Sequence, residues 1–160
     1  MPSPATEPAP LSSGLPRAAL AELLQGLLSE GRAVELPVSG SSMEPFLRSR
    51  DVVTLRPRES ARFGDVVALL APGPRLLVHR VVGPGLTTRG DAAGAADARL
   101  PGRELLGRVE RVERGGRRLR LGLGPERLLI AALSRRGLLA PLLRRLGALG
   151  GDPLPPASGA

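Results

Sequence analysis

Two adjacent serines stand in a short turn that could present a nucleophilic hydroxyl. Ser41 and Ser42 follow Gly40, just after the apolar run Val34–Val38. Small residues ahead of a serine allow the backbone to turn sharply and leave the hydroxyl accessible. Pro45 prevents a helix from forming directly over that hydroxyl. Because a serine hydroxyl is a weak nucleophile until a base takes its proton, the chain must also supply a base.

The choice of base is narrow, because all 23 basic residues are arginine and His79 is the single histidine. Arginine stays protonated in proteins and cannot act as a general base. Unless a carboxylate does so, His79 is the natural group to activate Ser41 or Ser42. The alternative is that His79, in the otherwise apolar run Leu76–Val82, is a hydrogen-bonded, half-buried core residue. With one histidine and no cysteine, we expect no metal site, and we expect no cofactor.

Two aspartates are candidates to orient this histidine. Asp91 follows Arg89 and Gly90, and Asp97 comes six residues later in a loop of alanines and a glycine. A buried carboxylate that accepts an imidazole N–H fixes the tautomer and stabilises the imidazolium that forms during catalysis. Asp91 can equally be a turn residue and Asp97 a solvated loop acid, so the residues alone leave the choice open.

From Val34 onward the pattern is that of short strands. Gly, Pro or Asp residues separate most of them, and Gly115-Gly116 predicts a hairpin turn. Short strands without a long helix between them favour a compact, mainly antiparallel β domain. The seven predicted strands are Val34–Val38, Asp51–Leu55, Asp65–Leu70, Leu76–Val82, Leu86–Arg89, Leu105–Val112 and Arg117–Leu121.

Helical patterns flank these strands. A stripe of leucines predicts a short N-terminal helix over 16–30, and two short helices are predicted from Glu126 to about Arg136 and from Leu138 to about Leu146. Low-complexity Pro/Ser/Ala/Gly composition predicts disordered tails at the two ends. The predicted organisation is a tail (1–14), a domain (15–124) with its β core at 34–121, a basic helical segment (125–149) and a second tail (150–160).

The net charge of +8 lies in the last third of the chain. Ten arginines and ten acids balance through residue 98, whereas thirteen arginines face five acids from Arg99 onward. Such an excess favours an anionic surface, either lipid headgroups or nucleic acid, although a coding bias toward solvated arginines explains it as well. Nucleic acid is disfavoured because only two Phe and no Trp or Tyr are available for stacking.

Any membrane contact is therefore expected to be peripheral, through residues 126–147. The arginines at 127, 135, 136, 144 and 145 scatter at 100° per residue, so the sequence does not predict a single clean amphipathic helix. No secretory signal pattern and no run of about 18 apolar residues occurs. We expect a cytoplasmic protein without a signal peptide or transmembrane helix.

Six short motifs follow one another across about residues 34–113, and together they resemble the signal-peptidase-like serine peptidases, the S24/S26 superfamily. They are Ser41–Pro45, Asp51–Val53, Gly64–Val67, His79–Val82, Arg89–Asp91 and Leu105–Val109. The resemblance implies an antiparallel signal-peptidase-like β fold. It is closest to the branch of archaeal and endoplasmic-reticulum enzymes, which carry histidine where bacterial signal peptidases carry lysine.

This resemblance also implies roles for individual residues. The nucleophile is the serine directly before Met43, which is Ser42, and His79 is its base. Asp91 and Asp97 fall on the acids of the branch, with Asp97 preferred as the orienting acid and Asp91 as a loop-structuring or assisting one. The Ser42 N–H, with a hydroxyl such as Ser39 or Ser41, would bind the oxyanion.

The function expected from these observations is that of a serine endopeptidase cleaving a peptide, or a leader segment of a precursor, through an acyl-enzyme. The alternative is a catalytically silent relative that acts as a binding module through its basic C-terminal third.

Overall fold

A computed structural model describes residues 9–10, 14–94, 96–97 and 102–148. Within these residues the chain forms eight strands and three helices. In chain order they are β1 (Ala9–Pro10), α1 (Arg17–Ser29), β2 (Val34–Pro37), β3 (Val52–Arg56), β4 (Val66–Ala71), β5 (Arg75–Gly83), β6 (Thr87–Arg89), β7 (Glu104–Arg114), β8 (Arg117–Leu119), α2 (Arg127–Arg135) and α3 (Leu139–Arg145).

The strands form one sheet in the order β1-β2-β3-β7-β4-β5-β6, with β8 paired to β7. Every pairing is antiparallel except that of β1 with β2. The prediction of a mainly antiparallel β domain with a short N-terminal helix and C-terminal helices is confirmed, and each of the seven predicted strands forms. The additional strand, β1, lies within the segment predicted to be an N-terminal tail. Of the other predicted tail residues, Gly14 is described as part of a turn, whereas 1–8, 11–13 and 150–160 lie outside the described residues.

The central strand of the sheet, β7, has irregular pairings beside the main core. β7 is eleven residues long and pairs with β3 on one side and β4 on the other, with a register shift in each pairing. Such irregularities increase the local twist and allow a sheet to curl. The main core comprises side chains of the central strands, of α1 and of the loop after β2, among them Leu24, Leu47, Val53 and Leu55.

Helix α1 packs on this sheet through one face. Its buried residues are Ala21, Leu24 and Leu28, which have the spacing of adjacent turns on one side of a helix. The helix begins after Pro16 and ends before Gly31, whose φ of +78° favours glycine. The predicted leucine stripe is thus a packing face, and α1 covers one side of the sheet next to β2 and β5.

Helices α2 and α3 form a second, smaller packing unit. Ile130, Leu139 and Leu143 are buried together, and Phe46 packs against them. Arg89 also donates a hydrogen bond to the carbonyl of Ser134 in α2. The C-terminal helices therefore rest against the loop after β2 and the end of β6. In the part of the chain that the structure describes, no helix is both long and apolar enough to cross a bilayer.

Candidate active site

Ser42 lies in the turn that follows β2. Gly40 has a φ of +95°, a conformation that L side chains rarely adopt, so the turn needs glycine there. Met43 and Leu47, on the C-terminal side of the serine, are buried in the main core and anchor the turn. Ser42 itself is exposed. The local sequence thus fixes the backbone on both sides of an accessible hydroxyl.

His79 lies in the middle of β5 and faces this serine. Its Nε2 is 3.0 Å from the Oγ of Ser42, within hydrogen-bond distance. The residue is 8% exposed, so its ring is largely shielded by protein. A nucleophile and a base at this separation meet the geometric requirement for general-base activation.

Asp97 completes a line of three groups. Its Oδ2 is 2.6 Å from Nδ1 of His79, and the same oxygen accepts a hydrogen bond of 2.7 Å from the Thr88 hydroxyl. The backbone N–H of Asp97 also donates to the carbonyl of Thr88 at 2.9 Å. A carboxylate on Nδ1 favours the tautomer with the proton on that nitrogen, which leaves Nε2 free to accept the Ser42 proton.

The surroundings of Asp97 favour its charged form. Burial raises the pKa of this carboxyl, but the hydrogen bonds from His79 and Thr88 lower it, as do the charges of His79 and Arg103. The net pKa lies below the ordinary value of 3.8. Arg103 contributes from 3.7 Å and also donates a hydrogen bond to Thr88 at 2.6 Å. Asp97 is therefore an ionised acceptor at neutral pH.

Asp91 is held in a different place. Both of its carboxylate oxygens accept hydrogen bonds from Arg80, at 2.8 and 2.7 Å, and both side chains are completely buried. Burial raises the pKa of Asp91, while the Arg80 guanidinium acts in the opposite direction. Arg80 also donates to the carbonyls of Gly64 and Gly122 and lies over the Phe46 ring. Of the two candidate acids, the structure brings Asp97 to the histidine and places Asp91 in this buried ion pair.

The loop that carries both acids also holds the serine turn. The N–H of Ala92 donates to the carbonyl of Ser42 at 2.9 Å. Gly90 packs so closely against Ser42 that a Cβ on it would lie 2.5 Å from that carbonyl oxygen. The glycine of the Arg89-Gly90-Asp91 motif is thus required by close backbone approach, and it links the positions of Ser42 and Asp91.

The two further serines differ in their relation to the site. Ser39 lines the same groove as Ser42 and His79, whereas Ser41 is exposed and does not line it. Ser39 is therefore the better placed of the two hydroxyls to approach a bound carbonyl oxygen. The assistance of either one in oxyanion binding stays a prediction.

The groove in front of the site has a volume of about 360 Å³. One wall is formed by residues 36–40, 42 and 43, the other by residues 74–79 at the start of β5, and α1 contributes its first turns. All six residues 74–79 border it, as expected when the edge of a strand, and not only one face, lines a groove. Among the described residues no cluster of three or more His, Asp or Glu side chains is arranged to hold a metal ion.

A family model described as Peptidase S24-like matches residues 11–88. The match supports a place in the S24/S26 peptidase superfamily. The matched range includes Ser42 and His79 and ends before Asp91 and Asp97. It therefore does not distinguish which aspartate would orient His79. None of the curated proteins matches the chain.

Sequence reasoning missed three residues of this peptidase-like site. Thr88 and Arg103 hold Asp97, and Arg80 holds Asp91. Arg80 follows His79 in the His79–Val82 motif. Because successive side chains of a strand point to opposite faces, Arg80 could have been expected on the face opposite His79, where it could serve as a buried partner for Asp91. The positions of Thr88 and Arg103 in the chain gave no indication that both contact Asp97. These contacts depend on how β6 and the residue before β7 approach each other.

Proposed function

We propose that this protein is a serine endopeptidase that cleaves a peptide, or a leader segment of a precursor, with Ser42 as nucleophile, His79 as general base and acid, and Asp97 as the orienting carboxylate. The observation that carries the proposal is the continuous line from Ser42 Oγ to His79 Nε2 and from Nδ1 to Asp97, with distances of 3.0 and 2.6 Å. The match to the Peptidase S24-like family supports the same class of reaction.

The chemistry follows from these contacts. His79 Nε2 takes the hydroxyl proton as Ser42 Oγ bonds to the carbonyl carbon, and the carbonyl electron pair moves to oxygen. The imidazolium, stabilised by Asp97, then returns the proton to the leaving amine as the C–N bond breaks, which leaves an ester on Ser42. Water, deprotonated by the same nitrogen, then bonds to the carbonyl carbon of this ester. The bond from that carbon to Ser42 Oγ breaks, Oγ takes the proton back from the imidazolium, and the acid product leaves.

A peptide has a natural binding path along β5. One edge of residues 75–79 pairs with β4, whereas β6 pairs only with residues 80–83 on the other edge. No strand in the described part of the chain covers residues 75–79 on that second edge, which borders the groove. An extended peptide can add to such an edge through backbone hydrogen bonds. This favours an extended peptide substrate that passes Ser42 at the end of the groove.

The oxyanion needs donors that point at the position it will occupy. The N–H of Ser42 is the first candidate, because it belongs to the residue that carries the attacking hydroxyl. Ser39 is the second, because its hydroxyl lies at the same groove. We include both in the proposal, with Ser41 as the less favoured hydroxyl.

The test is labelling of the purified full chain with a serine-reactive fluorophosphonate or acylating probe, followed by mapping of the modified peptide. The wild type is expected to carry the label on Ser42, and Ser42→Ala and His79→Ala are expected to lose it, because the chain has no lysine that could replace the histidine. Ser41→Ala is the matched control, since it removes the neighbouring exposed hydroxyl and should retain most labelling.

Label at Ser42 that persists in His79→Ala would overturn the proposed mechanism. Signal-peptidase-like serines can resist general reagents, so an unlabelled wild type is followed by mass spectrometry of a peptide library incubated with the same variants. Cleavage that depends on Ser42 and His79 supports the proposal. Absence of both labelling and cleavage overturns it and favours the catalytically silent binding module.

A further inference from the structure

The C-terminal helices expose an unusual number of leucines. Five of them are 42% to 71% exposed, namely Leu128, Leu129, Leu138, Leu142 and Leu146. Scattered exposed leucines are ordinary on a protein surface, but a group of them on two adjacent short helices is not. Their exposure indicates that this surface has a use other than folding.

These leucines share their surface with arginines. On both helices the buried residues point inward, with Ile130, Ala131 and Ser134 on α2 and Leu139, Ala140 and Leu143 on α3. The opposite sides therefore point away from the sheet. We define the Leu/Arg face as the exposed leucines and arginines of α2, α3 and their flanking residues, which are Leu128, Leu129, Arg135, Arg136, Leu138, Leu142, Arg144, Arg145 and Leu146.

No acidic residue occurs between Arg127 and Ala148, so the charge of the Leu/Arg face is uniformly positive. The nearest acid along the chain is Glu126, and its carboxylate accepts hydrogen bonds from the N–H groups of Gly122 and Gly124. Among the residues that the structure describes, Arg127 is the one arginine of this segment within salt-bridge distance of an acid, Asp65 at 3.6 Å, and it is not part of the face. The four arginines of the face thus present charge outward.

We propose that the Leu/Arg face binds peripherally to the surface of an anionic lipid bilayer. The arginines can bind the negative headgroups of such a bilayer, and the leucines between them can insert into the boundary of the acyl region just below. Arginine side chains can lay their apolar stems along that boundary while their guanidinium groups contact phosphate. Nucleic acid would use the arginines but would leave the exposed leucines without a partner.

This surface is joined directly to the candidate active site. Phe46, four residues after Ser42, packs on Ile130, Leu139 and Leu143, the inward side of the same helices. Arg89, next to Gly90, is bonded to α2. A bilayer bound at the Leu/Arg face would therefore hold the serine turn at a fixed position near the membrane. The binding itself does not depend on peptidase activity, and it can be tested separately.

The experiment is sedimentation of the full chain with vesicles of phosphatidylcholine alone and of phosphatidylcholine containing about one third phosphatidylglycerol, at low and physiological salt. We expect binding to the anionic vesicles that weakens with salt, and little binding to the neutral ones. Arg144→Gln/Arg145→Gln should weaken the binding about tenfold or more, because each basic residue near an anionic surface contributes on the order of 1 kcal/mol. Leu129→Ser/Leu142→Ser should weaken it by roughly tenfold as well.

The matched control is Arg32→Gln/Arg58→Gln, which removes two partly exposed arginines that pair with Glu30 and Glu110 on other parts of the molecule. It should bind like the wild type. Circular dichroism and thermal unfolding of each variant establish that its fold is intact, which is expected because all four mutated face positions are exposed.

Three results would overturn the proposal. The first is no binding of the wild type to the anionic vesicles, and the second is an equal loss of binding in the control pair. The third is a loss in the arginine variant without any loss in the leucine variant, which would indicate a general polyanion surface such as one for nucleic acid.

Discussion

Two hydrogen-bonded side-chain pairs connect β5 to the loop after β6, and their members on β5 are adjacent residues. His79 pairs with Asp97, and Arg80 pairs with Asp91. Because successive side chains of a strand point to opposite faces, His79 borders the groove and Arg80 enters the interior. The first pair is partly accessible and has Ser42 on the free ring nitrogen, whereas the second is completely buried and surrounded by hydrogen-bond acceptors.

The difference shows that one loop supplies one carboxylate to a groove-lining histidine and another to a buried arginine. Histidine can accept and return a proton, so the pair at the groove can take part in a reaction. Arginine cannot release its proton, so the buried Arg80–Asp91 pair cannot transfer one. Arg80 instead joins β5 to Gly64, to Gly122 and to the loop that carries Asp91. The two aspartates of this loop thus have different partners, because adjacent residues of β5 point to opposite sides of the strand.

The largest expected effect is on the groove pair. Asp97→Asn should slow labelling of Ser42 by a serine-reactive probe about a thousandfold or more, because an amide no longer holds the imidazole in the tautomer that accepts the serine proton. The free energy of unfolding should change much less than the rate. Stopped-flow labelling together with urea denaturation of the same protein measures both, and labelling near the wild-type rate would contradict the assignment of Asp97.

The buried pair should show the reverse pattern. Asp91→Asn should lower the free energy of unfolding by about 3–5 kcal/mol, because it leaves the Arg80 guanidinium buried without its counter-charge. Urea denaturation measures this loss. Arg80→Met/Asp91→Leu should recover part of it, since no unpaired charge remains. A stable Asp91→Asn protein with impaired labelling would instead give Asp91 a part in the reaction.

A smaller effect on the labelling rate is expected from substitution of Thr88, which donates a hydrogen bond to Asp97 of the His79–Asp97 pair. Thr88→Val keeps the side-chain shape and removes the hydroxyl that donates to Asp97, so labelling should slow about tenfold. Thr88→Ser restores the hydroxyl and should recover most of the rate. Equal losses in both variants would mean that Thr88 acts only by packing.

The smallest expected effect is on the pH dependence of the free energy of unfolding. The folded-state pKa of Asp97 lies below its ordinary value of 3.8, so the stability it contributes is fully present above that value and is lost as the pH falls through the folded-state pKa. The free energies of unfolding of wild type and Asp97→Asn should therefore approach each other as the pH is lowered from about 5 to about 2. A difference that stays constant over this range would show that Asp97 is not stabilised in its charged form.

Much of the fold was accessible from the sequence. The seven predicted strands and three predicted helices all form, because each is marked by its own hydrophobic period and by Gly or Pro at its ends. The candidate base was identified because His79 is the sole histidine, and the glycine-containing turn indicated Ser41 or Ser42 as the nucleophile. The choice of Ser42 came from the resemblance to the signal-peptidase-like enzymes. β1 was missed because two residues within a low-complexity segment carry no periodic pattern, and its pairing depends on the exposed edge of β2.

The sequence by itself determined which groups are available: one histidine, no lysine, two acids six residues apart, and a turn that exposes a serine. Only the tertiary structure decided how they combine. Whether Asp91 or Asp97 meets His79 depends on the path of the loop after β6, which is tied to Ser42 through Ala92 and to Thr88 through Asp97. The leucines and arginines of α2 and α3 likewise form a common outward surface only after packing on Phe46 has fixed which sides are buried. Local patterns act over a few residues, whereas these contacts join positions far apart in the chain, and strand pairing brings them together.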